Sequence, residues 1–194
     1  MTQYTFDMND YSKTFKSYTN RVSELLSLVD SFEVSKLISS IRNTVNNGGN
    51  IYVLGNGGSA TTASHFVNDL TIINKHKGLD IKAISLVDSM ATITAISNDE
   101  SYGEVFKFQL LNRLQKNDSV FSISASGNST NLINAVNYAN ELGVVTSSLL
   151  GFDGGILKTK SKNICLVSSN VGEYGPVEDA HLAICHYLSI NIQA

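Results

Sequence analysis

Apolar residues near the start of the chain recur at alternating steps of three and four positions. The members of this seam are Tyr11, Phe15, Tyr18, Val22, Leu25, Val29 and Phe32. Such spacing is typical of one face of an α-helix. The apolar face then changes phase and continues from Val34 to Val45, with Ser31 as the expected N-cap and Asn47-Gly48-Gly49 as the end. The pattern predicts two N-terminal helices, or one kinked helix, over residues 1–48.

These helices have two possible roles. They either cover one face of the remaining domain or pack against a second copy of the chain. So regular a seam is suited to self-association, which favours a helical bundle between subunits.

Beyond residue 48 the pattern changes to short β-branched runs separated by helical stretches. The predicted strands are 51–54, 83–87, 119–124, 144–150 and 163–167. The predicted helices lie at about 59–74, 103–115, 129–142, 153–161 and 176–192. Such alternation requires right-handed crossover connections, so it predicts a mainly parallel five-stranded sheet covered on both faces. We therefore expect residues 49–194 to form one α/β domain, to which residues 1–48 add helices without a linker.

Composition and charge narrow the class of protein. The 194 residues are 42% hydrophobic and contain one Pro, as expected of a folded chain with one core. Only 16% are charged, which suggests that other subunits cover part of the surface. The net charge of −3, without a basic cluster, argues against nucleic-acid or membrane partners. The chain shows no leader or bilayer-length apolar stretch, and its two cysteines lie in apolar runs, so we expect a cytoplasmic protein.

Two loops that follow predicted strands carry the first candidate chemistry. Residues 54–60 (LGNGGSA) are glycine-rich, and residues 122–130 (SISASGNST) are rich in hydroxyls. Ligands of open parallel sheets bind beyond the carboxyl ends of the strands, where helix N-termini favour anions. The loops therefore predict a phosphate site, although each alone also suits an ordinary turn, with Ser59 capping the next helix. Neither loop has nucleotide-binding spacing.

Two helices supply titratable side chains. His65 and Asp69 are four residues apart and share one helix face. On the last helix, Asp179 nearly eclipses His186 and Glu178 lies about 80° around the axis from it, so either acid could share a site with His186. His181 lies about 140° from His186, so one of these two histidines is expected to be structural or to face another subunit. A single histidine of this kind usually has a structural role. Together, however, two imidazoles and two carboxylates suit zinc or another divalent ion, or general acid–base catalysis.

The ordered set of motifs resembles the phosphoheptose isomerase branch of the sugar isomerase (SIS) superfamily. The matching segments are Gly55-Asn-Gly-Gly-Ser-Ala60, His65-Phe-Val-Asn-Asp69, residues 122–129 and Glu178-Asp-Ala-His-x4-His186. The resemblance implies a flavodoxin-like SIS fold, a homotetramer built round helices, and active sites that neighbouring subunits complete. It also implies bound zinc and conversion of sedoheptulose 7-phosphate to D-glycero-D-manno-heptose 7-phosphate, for the heptose of lipopolysaccharide or capsule.

Site roles follow from the same resemblance. The implied substrate-binding residues are Asn56, Gly57, Gly58, Ser59, Asp99, Ser124, Ser126 and Ser129. The implied metal ligands are His65, Asp69, Glu178 and His186. Asp69, Glu178 and His186 are also the expected catalytic residues. In an enediol mechanism, Asp69 would remove a carbon-bound proton and His186 would protonate or polarise the sugar oxygen. Because one carboxylate cannot be a tight ligand and a free base in the same step, a base role for Glu178 stays open.

Four positions depart from the family pattern. Asp69 replaces the usual Glu, Glu178 the usual Gln, Ala125 a Thr and Gly175 an Asp. A carboxylate retracted by one methylene group is misplaced by enough to lower a rate about 100-fold. Two alternatives therefore remain: an isomerase of another phosphorylated sugar, and a non-catalytic SIS-domain regulator that binds a protein partner.

Overall fold

A computed structural model describes residues 8–192, with side chains from residue 13 onward. Its helices are α1 (Met8–Ser27), α2 (Ser31–Asn46), α3 (Gly58–His76), α4 (Met90–Asp99), α5 (Val105–Leu110), α6 (Thr130–Glu141), α7 (Leu157–Lys160) and α8 (Tyr174–Asn191). Its strands are β1 (Asn50–Gly55), β2 (Lys82–Ser85), β3 (Ser119–Ser124), β4 (Val145–Phe152) and β5 (Asn163–Ser168). No helix within residues 8–192 is long and apolar enough to cross a membrane.

The five strands form one sheet in the order β2-β1-β3-β4-β5, and every pairing is parallel. This is the flavodoxin-like order, in which the chain starts near one edge and reverses direction at β1. The predicted fold class is therefore confirmed.

Alternating side chains of the sheet build two apolar layers. On β1, Ile51 and Val53 join the core beneath α2, α3 and α8, whereas Tyr52 and Leu54 join the core beneath α4, α5 and α6. Strands of a parallel sheet that is covered on both faces are buried on both sides, so β1, β3 and β4 read as apolar runs. The carboxyl ends of these strands consequently meet at one edge, between the two layers.

The N-terminal seam divides between the core and the surface. Leu25 is buried, whereas Phe15 is 70% and Phe32 64% exposed. The side chain of Tyr11 lies outside the described side chains. The prediction that Ser31 caps α2 is wrong, because Asp30 is the N-cap and its carboxylate accepts a hydrogen bond from the Phe32 amide at 2.8 Å. Ser31 is instead the first helical residue.

One helix was not predicted, and two predicted helical stretches differ from the structure. The helix α4 was missed, and Ser89 caps it by accepting a hydrogen bond from the Thr92 amide at 3.2 Å. The stretch 103–115 is a short 3₁₀ turn followed by α5, after which Asn112 adopts a left-handed φ of 62°. Only residues 157–160 of the stretch 153–161 are helical, because Gly154 and Gly155 both have positive φ.

Candidate active site

A small cavity of about 140 Å³ lies where β1 and β3 end. Its lining residues are Asn56, Ser59, Ile123, Ser124, Ala125, Ser126, Ser129, Tyr174 and Glu178. The helices α3 and α6 both begin at this edge, so their positive N-terminal ends lie beside the hydroxyl-lined wall. No Lys or Arg is among the described residues that line the cavity. A bound anion would therefore be held by neutral donors and helix ends.

The hydroxyl-rich loop is folded by its own serines. The Ser124 hydroxyl accepts a hydrogen bond from the Gly127 amide at 3.0 Å, and the Ser126 hydroxyl accepts one from the Asn128 amide at 3.3 Å. Gly127 has a φ of 64°, and a Cβ there would lie 2.0 Å from the Gly154 carbonyl oxygen. Ser129 is the N-cap of α6, and its side chain makes no capping bond. Its hydroxyl is thus left for a ligand.

Asn56 is held by two residues that sequence reasoning missed. Its side-chain amide exchanges two hydrogen bonds with the Asn131 amide, both at 2.9 Å, and its Oδ1 accepts a third from the Tyr102 hydroxyl at 2.8 Å. No local pattern marks Asn131 or Tyr102, because both contacts form only when α6 and the 3₁₀ turn pack beside the glycine loop. The Asn56 side chain therefore enters the cavity in a defined orientation.

The glycine loop differs in detail from the prediction. Gly57, with a φ of 54°, occupies the N-cap position of α3, so the expectation that Ser59 caps this helix is wrong. Ser59 lies in the first turn of α3, is buried and lines the cavity. Gly57 and Gly58 are not among the lining residues. A Cβ on Gly58 would lie 2.2 Å from Oε2 of Glu178, so the glycine makes room for that carboxylate.

Glu178 lies at the cavity, away from the histidines. Burial, followed by the charge of Asp179, raises the pKa of the Glu178 carboxyl. Glu178 precedes His186 by eight residues on α8, a rise of about 12 Å along the helix axis. The described ligand atoms that lie within 4.8 Å of one another belong to His65, Asp69 and His186 and do not include Glu178, whose ligand role stays a prediction.

Those other three ligands converge from α3 and α8. Nε2 of His65 lies 3.0 Å from Nε2 of His186, and Oδ2 of Asp69 lies 3.4 Å from the first and 3.7 Å from the second. The Asp69 side chain is only 13% exposed, whereas those of His65 and His186 are 49% and 44% exposed. Each of the three offers a ligand atom within 4.8 Å of the other two. Two imidazoles and a carboxylate are a donor set that borderline divalent ions prefer, so these residues fit a metal.

The remaining candidates lie elsewhere. Asp99, at the end of α4, accepts a hydrogen bond from Asn98 at 2.8 Å and does not line the cavity. Asp179 accepts a hydrogen bond from the Tyr18 hydroxyl at 2.6 Å, which raises the pKa of Tyr18 to about 12. His181 is fully buried in its own chain, so it does not face a neighbouring subunit.

The chain is similar to known proteins both in sequence and in structure. Residues 14–151 match the profile of the SIS domain family. Phosphoheptose isomerase from Helicobacter pylori strain Shi470 is 40% identical over 145 residues, which cover 75% of this chain and 74% of the relative. The enzyme of the same name from Chlorobaculum parvum is 32% identical over 176 residues, covering 88% and 82%. The structure of phosphoheptose isomerase GmhA from Neisseria gonorrhoeae superposes with a TM-score of 0.83 at 26% identity, covering 95% and 97% of the two chains.

Proposed function

The chain belongs to the SIS domain family and, within it, to the phosphoheptose isomerases, and from that premise we propose that it isomerises sedoheptulose 7-phosphate in heptose biosynthesis. The product is D-glycero-D-manno-heptose 7-phosphate. The observation that carries this proposal is the meeting of His65, Asp69 and His186 on helices that also border a hydroxyl-lined cavity.

Phosphate binding is the role of the serine-rich loop. Ser124, Ser126 and Ser129 surround the positive end of α6, and Ser59 approaches from the first turn of α3. Several neutral hydrogen bonds combined with a helix dipole are sufficient to hold a phosphate group without a lysine. Asn56 is held in place by Asn131 and is directed towards the substrate. Asp99 remains a predicted substrate contact.

Proton transfer is the role of the residues on α3 and α8. Aldose–ketose isomerisation moves a proton between adjacent carbons, with matching proton movement on the two oxygens. Asp69, mostly shielded from solvent, is the base that takes the carbon-bound proton. His186 exchanges a proton with the sugar oxygen. Glu178 borders the cavity with its pKa raised by burial, which suits it to hold a proton near the substrate.

His65, Asp69 and His186 would hold zinc. Because a tightly bound ligand cannot act on a proton in the same step, either the metal moves before Asp69 and His186 act on protons, or Glu178 takes the base role. The family resemblance also implies Glu178 as a ligand, although it lies outside the group that the other three form. A divalent ion held there would supply Lewis-acid stabilisation of charge on the sugar oxygen. The donor atoms of the two histidines and the aspartate support this assignment.

We also propose that the enzyme is a cytoplasmic homotetramer. Four apolar side chains are exposed in the single chain, and burial between subunits would remove them from water. They are Phe15 on α1, Leu28 in the turn after it, Phe32 on α2 and Tyr187 on α8. Cys165 and Cys185 are buried free thiols, as suits a reducing compartment. Light scattering on the purified protein measures the subunit number, and a monomer would contradict the assembly.

The test of function is turnover of sedoheptulose 7-phosphate, followed by NMR of the sugar. Asp69→Asn is expected to lower kcat by about 100- to 10,000-fold, because it removes a general base. Asp80→Asn is the matched control, since Asp80 is exposed and, among the described side chains, pairs only with Lys75 at 3.5 Å. Absence of turnover by the wild type would contradict the proposed function. Full activity of Asp69→Asn would contradict only the base assignment, and turnover of a different sugar phosphate would identify the alternative substrate.

A further inference from the structure

We infer that Tyr174 is a substrate-contacting residue that donates a hydrogen bond to the bound phosphate, and that Phe152 positions it. This inference rests on the proposed function, because it concerns the phosphate end of the same site. It adds an aromatic residue to a set otherwise made of serines, asparagine and glutamate.

The position of Tyr174 supports this role. It is the first residue of α8 and lines the cavity together with Ser124, Ser126 and Ser129. Its side chain is 53% exposed, and its hydroxyl makes no hydrogen bond within residues 8–192. Glu178 follows one helical turn later on the same face. The Tyr174 hydroxyl thus lies at the rim of the cavity as a hydrogen-bond donor without an acceptor among the described residues.

The charge balance of the cavity gives this donor its importance. Because the described lining contains no cation, a phosphate dianion there is balanced only by neutral donors and helix ends. Besides Tyr174, the described ionisable residue that lines the cavity is Glu178. An ionised Glu178 carboxylate repels an anion and so directs the phosphate towards the serines. A hydrogen bond from a neutral donor to a charged acceptor corresponds to about a tenfold effect on affinity or more.

Phe152 packs against the ring of Tyr174. The two rings meet edge to face, with centroids 5.0 Å apart and planes at 80°. Phe152 is the last residue of β4, is buried, and has a φ of 51°. Left-handed backbone is unfavourable for a bulky residue and persists only where the surroundings enforce it. The end of β4 is closely packed there, since a Cβ on the preceding Gly151 would lie 2.5 Å from Val177 and 2.9 Å from the Ala125 carbonyl oxygen.

The backbone before Tyr174 is anchored independently. Glu173 accepts two hydrogen bonds from the Arg21 guanidinium, at 3.0 and 2.8 Å, and a third from the Asn170 amide at 2.8 Å. The start of α8 is therefore tied to α1 on one side and to the loop that follows β5 on the other. An exposed tyrosine at a loop-to-helix boundary would otherwise move freely, whereas this one has both its backbone and its ring held.

The first experiment compares the wild type with Tyr174→Phe, which removes only the hydroxyl. We expect KM for sedoheptulose 7-phosphate to rise about tenfold with kcat within twofold, because the lost contact is made to the phosphate and not to the reacting carbons. The inhibition constant of inorganic phosphate should rise by a similar factor. Tyr138→Phe is the matched control, since Tyr138 lies on α6, packs against the core beneath α4, α5 and α6, and does not line the cavity.

The second experiment tests the positioning role with Phe152→Leu, which keeps an apolar residue in the buried site. KM and the phosphate inhibition constant should rise severalfold in the wild-type background. They should change little in the Tyr174→Ala background, because a residue acting only through Tyr174 has no effect once that ring is gone. Equal effects in both backgrounds would overturn the positioning role.

The outcomes separate this inference from the proposed function. Unchanged KM and unchanged phosphate inhibition in Tyr174→Phe would overturn the inference while the enzyme remains an isomerase. A fall in kcat alone would also overturn it. If the wild type shows no turnover, the proposed function fails, and calorimetric titration with inorganic phosphate then decides on Tyr174: weaker binding by Tyr174→Phe upholds the contact, and equal or absent binding overturns it.

Discussion

His181 should make the stability of this protein sensitive to mild acid. Its ring is fully buried, and neither ring nitrogen makes a hydrogen bond of normal geometry. Burial lowers the pKa of His181 to about 4, and the nearby backbone of Leu150 opposes the shift only in part. The imidazole is therefore neutral in the folded protein at neutral pH.

The sign of the effect follows from proton linkage. An unfolded chain protonates this histidine near its ordinary pKa of about 6.5, whereas the folded chain resists protonation until about pH 4. Between these values the unfolded state binds more protons, so the free energy of unfolding falls as the pH falls. The slope approaches about 1.4 kcal/mol per pH unit, which gives a loss of about 2 kcal/mol between pH 7.5 and pH 5 and about 3 kcal/mol by pH 4.

Urea unfolding followed by circular dichroism, at pH 7.5, 6 and 5 in the presence of a chelator, measures this loss. In His181→Leu the histidine-dependent part of the slope should disappear. At pH 7.5 this variant should lie within about 1 kcal/mol of the wild type, because no hydrogen bond is lost. His181→Gln provides a polar replacement without titration, and His76→Gln is the control at an exposed histidine on α3. Parallel pH profiles for the wild type and both His181 variants would refute the reasoning.

Three further changes test other parts of the site. Gly58→Ala should lower kcat/KM at least tenfold, because the new Cβ displaces the carboxylate end of Glu178. It should change the free energy of unfolding by less than about 1 kcal/mol, because alanine also adds helix propensity. Turnover and urea unfolding measure the two effects, and unchanged turnover would show that Glu178 takes no part in the reaction. Arg21→Ala should raise the pKa of the Glu173 carboxyl, because the Arg21 guanidinium holds that pKa below its ordinary value. NMR titration of the Glu173 carboxyl carbon measures the change, and an unaltered pKa would contradict the pairing. Zinc added to chelator-treated protein should raise Tm by about 5–10 °C in the wild type but not in His186→Ala, and equal shifts in both would place the metal elsewhere.

The sheet was predictable because its strands are continuous β-branched runs separated by glycine-rich turns. The helix α4 was not, since its sequence MATITAISND is rich in β-branched residues, which have weak helix propensity. Its helical state depends on the Ser89 cap and on burial of Ile96 against the second core. Tertiary packing, which no local pattern reveals, decided this segment.

The histidine group was predictable in part. The pairing of His65 with Asp69 follows from four-residue spacing on one helix, which the 3.4 Å distance confirms. The approach of His186 depends on how α8 packs along α3, across 121 residues of sequence. No sequence pattern predicted a role for Tyr174 or Phe152 in the site. An aromatic residue at a cavity rim looks like any other exposed aromatic until the end of β4 is placed beneath it.

The separation of Glu178 from the histidines bears on how this chain departs from its relatives. Angular position alone places Glu178 near His186, but an angle around a helix ignores the axial rise, and eight residues amount to about 12 Å. Glu178 accordingly lies outside the group that His65, Asp69 and His186 form, and its role as a ligand stays a prediction. The shorter acid at position 69 instead finds its partners directly, since both imidazoles already lie within 3.7 Å of its carboxylate.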